Sequence, residues 1–308
     1  MRQSIFYLYE KAYGKYGIGA FNVFNAEQLH GVFRGAEKAD SPIIVQFTPV
    51  ARNYVHPVML NEMVNAATKI YPRVDFVVHL DHGNYDHCID AIDSGGYDSV
   101  MIDASHEPFE ENVRITKKVV DRAHARDIAV EAELGVLSGI EDSLSVDEQK
   151  SYCTDPLLAK EFVARTGCDS LAVAVGTSHG AYKFGNGAKL QLNVLSEIQK
   201  QLPHYPLVLH GASAVPEEEV MRINRAGGQL KEGAKGIAAD DLMQAIRLGV
   251  CKINIATDMR LIWTRVHREF FLSDPGKFDP IVPGKTYMDE LERFVANKCL
   301  FLKGKIKI

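Results

Sequence analysis

Three histidines share a position that suits metal chemistry. His82, His179 and His210 each lie at or just beyond the end of an apolar run, and each is followed directly by a glycine. Three imidazoles can bind a zinc ion and leave its fourth coordination position open, as in catalytic zinc sites. The alternative is three unrelated histidines that cap separate strands. Their common placement favours the metal site.

Carboxylates accompany these histidines. Asp81 directly precedes His82 and is a candidate general base beside a metal; the alternative is a group that orients a histidine. Strand alternation directs His79 to the opposite face from His82, so we interpret His79 as structural. Further candidates for ligands or orienting groups are Asp103, Glu131 and Glu133.

Two other features suggest substrate chemistry. Glycines recur at 176–180 and 211–213, where backbone N–H groups can close on a phosphate, although plain turn chemistry also explains them. Lys183, Ser213 and Thr257 add charge and hydroxyl donors. Lys252 lies in an apolar run and could form a Schiff base with a carbonyl substrate. The alternative is an ion pair with Asp81 or Glu131. A Schiff-base mechanism would not need the three histidines, so the sequence favours a metal site over a Schiff base.

Eight short apolar runs must position these residues. They are 17–23, 42–48, 75–82, 99–103, 129–135, 170–176, 206–211 and 250–257. Near-continuous apolar runs are typical of strands buried on both faces of a parallel sheet. Their alternation with amphipathic stretches predicts an α/β fold, a (β/α)8 TIM barrel. Polar residues end nearly every run, so a barrel would gather them on one rim.

A doubly wound sheet is the alternative, but the GxGxxG signal is missing after the first run, where 17–22 reads GIGAFN. Two long polar connections, 138–155 and 213–240, are candidate lids or binding loops. From about residue 258 the pattern is helical, with a break at SDPGKFDPIVPGK.

The composition excludes several classes of function. The chain has 308 residues, 46% of them hydrophobic, and a net charge of −5, and we expect a single domain over 1–308. No basic run would neutralise a nucleic-acid backbone, and no apolar run approaches the ~20 residues of a membrane span. The start lacks a secretory pattern, and the five cysteines form no close CxxC pair. Free thiols and a cytoplasmic location are therefore expected.

Six motifs together resemble the class II, zinc-dependent fructose-bisphosphate aldolases. They are HLDHG (79–83), MIDASH (101–106), VEAELG (130–135), GTSHGAYKF (176–184), VLHGAS (208–213) and KINIATD (252–258). The resemblance covers nearly the whole chain, in order. The glycine-rich segment 226–236 is similar to the fructose-bisphosphate branch more than to the tagatose-bisphosphate branch.

The resemblance implies a role for each matching residue. The zinc ligands would be His82, His179 and His210, with a secondary metal site at Asp103 and Glu133. Asp81 would serve the C4 hydroxyl as acid and base, and Glu141 would handle the proton at the enediolate carbon. Asn254 would stabilise the enediolate oxygen. Residues that would contact the substrate are Asn22, Thr48, Gly180, Lys183, Gly211, Ser213, Thr257 and Arg260.

The implied reaction is reversible cleavage of a ketose phosphate to dihydroxyacetone phosphate and an aldehyde, as in glycolysis. Fructose 1,6-bisphosphate is the first candidate substrate, and tagatose 1,6-bisphosphate or another ketose 1-phosphate is the alternative. A monovalent cation, Na⁺ or K⁺, often assists in the family, and a homodimer or homotetramer is implied. Two other functions remain open, a non-catalytic partner subunit and a barrel metallohydrolase. A metallohydrolase would normally have an HxH motif on its first strand, where this chain reads FNVFN.

The sequence departs from the family where the second phosphate binds. Val50 stands in place of the glycine of QxSxGA, Ala256 in place of a common aspartate, and Ile281 in place of the arginine of DPR. Arg260, another contact to that phosphate, is retained. Candidate compensating charges are Arg52 and Lys285. Either these changes are neutral drift, or the aldehyde half of the substrate differs while the donor half is the same.

Overall fold

The computed structural model describes residues 1–136, 138–141, 144–146, 153–179, 190–233 and 236–307, with the backbone alone for 138–141, 144–146 and 178–179. Eight parallel strands form a closed barrel in which each pairs with the next and the last returns to the first. In barrel order these strands are β1 (Ile18–Asn22), β2 (Ile43–Phe47), β3 (Phe76–Gly83), β4 (Ser99–Ile102), β5 (Ala129–Leu134), β8 (Ser170–Val173), β10 (Leu207–Leu209) and β11 (Val250–Ile255). All eight apolar runs are barrel strands, so the predicted TIM barrel is confirmed.

Helices surround the barrel. They are α1 (Ile5–Ala12), α2 (Ala26–Ala39), α3 (Pro49–Val55), α4 (Pro57–Ile70), α5 (Tyr85–Ser94), α6 (Phe109–His124), α7 (Pro156–Thr166), α8 (Leu192–Gln201), α9 (Glu217–Arg225), α10 (Ala239–Arg247), α11 (Thr257–Ser273) and α12 (Ile281–Leu302). Across the described ranges, none of them combines the length and the apolar character that a bilayer crossing requires. All five cysteines are free, as expected, and Cys153 is the exposed one.

Two apolar layers hold the barrel in shape. The outer faces of the strands and the inner faces of the helices form the main core. Inside the barrel, α1 closes the amino-terminal end, where Ile5 and Leu8 pack with Ile44 and Val77. Apolar burial of this kind stabilises by about 25 cal/mol per Å². The open, polar end of the barrel is therefore the opposite one, where the strands finish.

Helices α2 and α12 approach each other closely because α2 carries a glycine at the contact. A Cβ atom added at Gly35 would lie 2.6 Å from the Cβ atom of Val295, well inside van der Waals contact. This packing brings the end of the chain back against the first barrel helix.

The connection after β5 differs from the expected polar loop. Its described part forms β6 (Ser138–Glu141) and β7 (Leu144–Val146), which pair antiparallel. Strand β6 also pairs in parallel with β9 (Ser178–His179), so that Gly139 lies opposite His179. The segment that carries Glu141 is therefore attached to the segment that carries the third predicted zinc ligand.

Candidate active site

Strand β3 ends in adjacent Asp81 and His82, and both side chains reach the mouth of the barrel. Neighbouring side chains in a regular strand face opposite sides. Here the register between β3 and β4 shifts between Leu80 and Gly83, and His82 takes a left-handed φ of 50°. Such a conformation costs about 1–3 kcal/mol in a residue other than glycine. The irregularity turns His82 inward beside Asp81.

The imidazoles of His82 and His210 meet at this mouth. His82 Nε2 lies 2.8 Å from His210 Nδ1, and the rings meet edge to face. The outer nitrogens face carboxylates: His82 Nδ1 donates to Asp103 Oδ2 at 2.9 Å, and His210 Nε2 donates to Glu131 Oε1 at 3.0 Å. A carboxylate on the outer nitrogen orients the ring and leaves the inner lone pair for a metal.

The charge of Asp103 is set by two opposing effects. Burial alone would raise its pKa, but hydrogen bonds from His82 and Ser105 outweigh burial and hold the pKa well below its ordinary value. Asp103 is therefore a carboxylate at neutral pH, which suits the partner of a predicted metal ligand.

These donor atoms fit a metal ion. Ligand atoms of Asp81, His82 and His210 all lie within 4.8 Å of one another, and a second such group is His82 with Asp103 and Glu133. Imidazole nitrogens and carboxylate oxygens are the usual ligands of zinc besides thiolates. The backbone of His179 is in β9, while its side chain lies outside what the structure describes.

Asp81 is held by three side-chain amides. Its Oδ2 accepts from Asn22 Nδ2 at 2.8 Å and Gln46 Nε2 at 3.3 Å, and its Oδ1 accepts from Asn254 Nδ2 at 2.9 Å. Gln46 also donates to Asn22 Oδ1 at 2.6 Å. All four residues are buried. The carboxylate is thus fixed in direction, which a proton-transfer group requires.

Two acceptors in this cluster point to a polar ligand. Within the described ranges, the buried oxygens Gln46 Oε1 and Asn254 Oδ1 have no hydrogen-bond partner. Such groups are rare in folded proteins, because each costs desolvation energy when it stays unpaired. Their place beside Asp81 is where hydroxyl groups of a substrate would satisfy them.

A charged layer lies beneath the site. Lys252 Nζ donates to both carboxylate oxygens of Glu131, at 2.9 and 3.1 Å, and all of these groups are fully buried. It is 4.0 Å from Asp81 Oδ1. The sequence left open a Schiff-base role or an ion pair with a carboxylate for Lys252. The structure has the ion pair, with Glu131. Since the same Glu131 accepts from His210, this ion pair supports a predicted zinc ligand from below.

His79 belongs to this lower layer. Burial and the charge of Lys252 hold its pKa well below the ordinary value, so the ring is neutral. Its Nδ1 lies 2.8 Å from Ser99 Oγ and its Nε2 lies 3.3 Å from Lys252 Nζ. The structural interpretation agrees with these contacts. The prediction that His79 and His82 point to opposite faces of the strand was wrong. Both side chains point into the barrel, because the irregular end of β3 turns His82 inward.

A comparison with known proteins decides the family. The family model described as "Fructose-bisphosphate aldolase class-II" matches residues 4–306. The chain belongs to the class-II fructose-bisphosphate aldolase family. It is an aldolase, a carbon–carbon lyase, in a family that is generally metal-dependent and acts on phosphorylated ketoses.

Individual relatives agree with this family. The fructose-bisphosphate aldolase of Giardia intestinalis is 43% identical over 281 residues, which are 90% of this chain and 86% of that protein. The fructose-bisphosphate aldolase of Thermus caldophilus is 47% identical over 266 residues, 86% of each chain. The crystal structure of the YdjI aldolase from Escherichia coli K12 matches with a TM-score of 0.78 at 32% identity, over 99% of this aldolase and 98% of that one.

The loops after β10 and β11 form the aldolase's candidate phosphate site. Asp258 Oδ2 and Oδ1 accept the backbone N–H groups of 214–215 at 3.0 and 2.8 Å, and Ser213 Oγ accepts from the Ala256 N–H at 3.4 Å. These bonds fix Ser213 against the start of α11 at Thr257. Unpaired N–H groups at a helix N-terminus favour an anion. Asp258 is a polar residue at the end of the eighth apolar run to which the sequence alone assigned no role; the signal for it is an aspartate in the first turn after a buried strand.

We expect Asp258→Ala to raise the KM for ketose phosphates by about tenfold with little change in kcat, because it releases the phosphate loop and not the reacting end. Steady-state kinetics would measure both constants. Asp240→Ala, at an exposed aspartate in the first turn of α10, is the matched control and should change neither. A fall in kcat with unchanged KM would contradict the assignment of this loop to binding.

The remaining predicted residues fall into three groups. Gly211 and Ser213 follow β10, and Glu133 is buried at the end of β5. Thr48 follows β2 and caps the N-terminus of α3, where its Oγ1 accepts from the Ala51 N–H at 3.2 Å. Arg260 lies in the first turn of α11. Glu141 ends β6, where the backbone alone is described, and Gly180 and Lys183 lie outside the described residues. Gln46, a polar residue near the end of the second apolar run, was assigned no role from the sequence, and the structure places it against Asp81.

Proposed function

We propose that this aldolase catalyses zinc-dependent, reversible cleavage of a ketose 1-phosphate into dihydroxyacetone phosphate and an aldehyde. The observation that carries the proposal is the convergence of Asp81, His82 and His210 at the barrel mouth, with ligand atoms within 4.8 Å of one another. His82, His179 and His210 would hold the ion, and Asp103 with Glu133 would provide a secondary site. A bound zinc ion would act as a Lewis acid towards the substrate.

The side chains supply the proton chemistry. Asp81, held by Asn22 and Asn254, takes the proton of the C4 hydroxyl as the C3–C4 bond breaks, and returns it in the reverse direction. In our proposal Glu141 exchanges the proton of the donor carbon. The phosphate would be bound by Gly180, Lys183, Gly211, Ser213 and Thr257, with Na⁺ or K⁺ assisting.

Fructose 1,6-bisphosphate is the first substrate to test, because the relatives from Giardia intestinalis and Thermus caldophilus are named fructose-bisphosphate aldolase. Tagatose 1,6-bisphosphate and other ketose 1-phosphates are the alternatives. A non-catalytic partner subunit is disfavoured because Asp81 and both described histidine ligands are present together. We also predict that the protein forms a homodimer or homotetramer and that it is cytoplasmic.

The test is a coupled retro-aldol assay with and without a chelator. Fructose 1,6-bisphosphate, tagatose 1,6-bisphosphate and fructose 1-phosphate are supplied in parallel, dihydroxyacetone phosphate is followed, and zinc content is measured on the same samples. We expect cleavage that the chelator abolishes and Zn²⁺ restores. Cleavage that persists after zinc is removed would contradict the metal role, and zinc binding without cleavage of any ketose would favour the non-catalytic alternative.

A further inference from the structure

We infer that the aldehyde half of the substrate lies in an apolar cavity beside Asp81, so that this enzyme prefers aldehydes with an uncharged, apolar tail over glyceraldehyde 3-phosphate. The inference rests on the proposed function and specifies its acceptor. It concerns the preference between acceptors, and turnover of fructose 1,6-bisphosphate is compatible with it.

The cavity has a volume of about 330 Å³ and opens above the ends of β1 and β2, next to the start of α11. Most of its described walls are apolar or aromatic. The lining residues are Phe24, Thr48, Val50, Ala51, Tyr54 and Arg260. Small-ligand pockets begin at about 300 Å³, so the volume suits a short acyclic aldehyde.

The chain connects this cavity to the catalytic carboxylate. Phe24 follows Asn22 by two positions, and Thr48 follows Gln46 by two positions. Asn22 and Gln46 both donate to Asp81 Oδ2. Two residues of extended chain span about 7 Å. A substrate whose C4 hydroxyl contacts Asp81 would therefore extend its last carbons into the cavity.

Three of the described lining residues, Thr48, Tyr54 and Arg260, carry a side-chain group that can donate a hydrogen bond to a phosphate. Arg260 is the one charged residue among them, and it is exposed. The Thr48 hydroxyl accepts the Ala51 N–H and keeps a single hydrogen to donate. A phosphate dianion is usually bound by several charge-assisted hydrogen bonds, and Arg260 is their single source among these residues, whereas Phe24, Val50 and Ala51 form apolar walls. The same walls favour methyl and methylene groups.

Neither compensating charge considered from the sequence lines this cavity. Arg52 is buried, forms an ion pair with Asp90, and stacks over Tyr97 at 5.4 Å from the ring centre. Lys285 on α12 and Ile281 at the start of that helix are both exposed, and neither is among the lining residues. Arg52 is therefore committed to other partners, and compensation by Lys285 stays a prediction.

Helix α3 presents the apolar wall. Val50 and Tyr54 are four positions apart and so share one face of the helix. Val50 stands where the family has a glycine, and its side chain is 47% exposed. Val50 therefore adds a branched apolar side chain to the cavity wall, and it makes none of the hydrogen bonds that hold Asp81.

The condensation direction isolates the acceptor. In the proposed reaction Glu141 takes a proton from the donor carbon of dihydroxyacetone phosphate, and that carbon forms a bond with the aldehyde carbon. Protonated Asp81 gives its proton to the aldehyde oxygen. The tail of the aldehyde gains and loses no bond. Its effect on kcat/KM therefore reports binding in the cavity.

The experiment compares lactaldehyde, 2-hydroxybutanal, 2-hydroxypentanal and glyceraldehyde 3-phosphate as acceptors for the zinc-loaded full chain. We expect kcat/KM to rise about threefold with each added methylene, and 2-hydroxypentanal to exceed glyceraldehyde 3-phosphate by about tenfold. A flat series, or a preference for glyceraldehyde 3-phosphate, would overturn the acceptor assignment while leaving the aldolase proposal intact. Condensation with none of the four would overturn the proposed function itself.

A matched pair of variants places the effect in the cavity. Val50→Lys puts a cation in the apolar wall and should reduce the preference for 2-hydroxypentanal over glyceraldehyde 3-phosphate by about tenfold. Val58→Lys adds the same charge on α4, at a valine that is 61% exposed and does not line the cavity. It should leave the preference within about twofold. Equal shifts in both variants would show general charge attraction and overturn the inference.

Discussion

Asp81→Asn is expected to lower kcat for ketose cleavage by about 10²–10⁴-fold, the usual contribution of a general acid or base. Asparagine keeps the size of the side chain but cannot take the C4 hydroxyl proton. KM should change little, because the phosphate loop and the cavity are untouched. Steady-state release of dihydroxyacetone phosphate measures both constants.

The control for this variant is Asp86→Asn, which removes an exposed carboxylate five positions further along, in the first turn of α5. It should keep activity within about twofold of the wild type. Zinc content decides between the two roles that the sequence left open for Asp81. If Asp81→Asn keeps most of its kcat, or loses its activity only in proportion to lost zinc, Asp81 is an orienting group or a ligand and not the base.

Lys252→Met is expected to lower the free energy of unfolding by about 3–5 kcal/mol, the usual cost of leaving one member of a buried ion pair without its partner. Glu131 would keep a buried charge in the layer beneath the site. Because Glu131 also orients His210, zinc affinity should fall by about 10–100-fold. Urea denaturation of the zinc-free protein and competition with a chromophoric chelator measure the two effects separately.

A second variant tests the physical reason. Glu131→Gln added to Lys252→Met removes the stranded charge, so we expect the double variant to regain part of the lost stability but not the zinc affinity. Lys200→Met, which removes an exposed lysine 2.6 Å from Glu197, is the control and should cost about 0–1 kcal/mol. Equal losses in Lys252→Met and Lys200→Met would contradict the role given to the buried pair.

The barrel was predictable because its strands are buried on both faces. Their apolar runs are continuous, and each finishes in polar residues that must gather on one rim. The same logic predicted that Asp81, His82 and His210 would lie together. The carboxylates were recognised as a group, but whether each would contact a histidine or Lys252 depended on distances across the barrel.

Other features depended on geometry that the sequence does not display. The hairpin of β6 and β7 was missed because its strands are only four and three residues long. Strand alternation failed at His82, since a positive φ and a shifted register reverse its direction. Arg52 was a candidate for binding the second phosphate, but in the structure its guanidinium forms an ion pair with Asp90. Each of these results comes from a local irregularity or a long-range contact.

In our proposal a zinc ion binds between His82 and His210, beside Asp81. Anomalous scattering at the zinc absorption edge, from crystals of the zinc-loaded protein, tests it most directly. We predict a peak about 2.0–2.1 Å from His82 Nε2 and His210 Nδ1, and its loss in His210→Gln. A fully active protein with no peak there, or with its only peak at Asp103 and Glu133 and no contact with His210, would contradict the account.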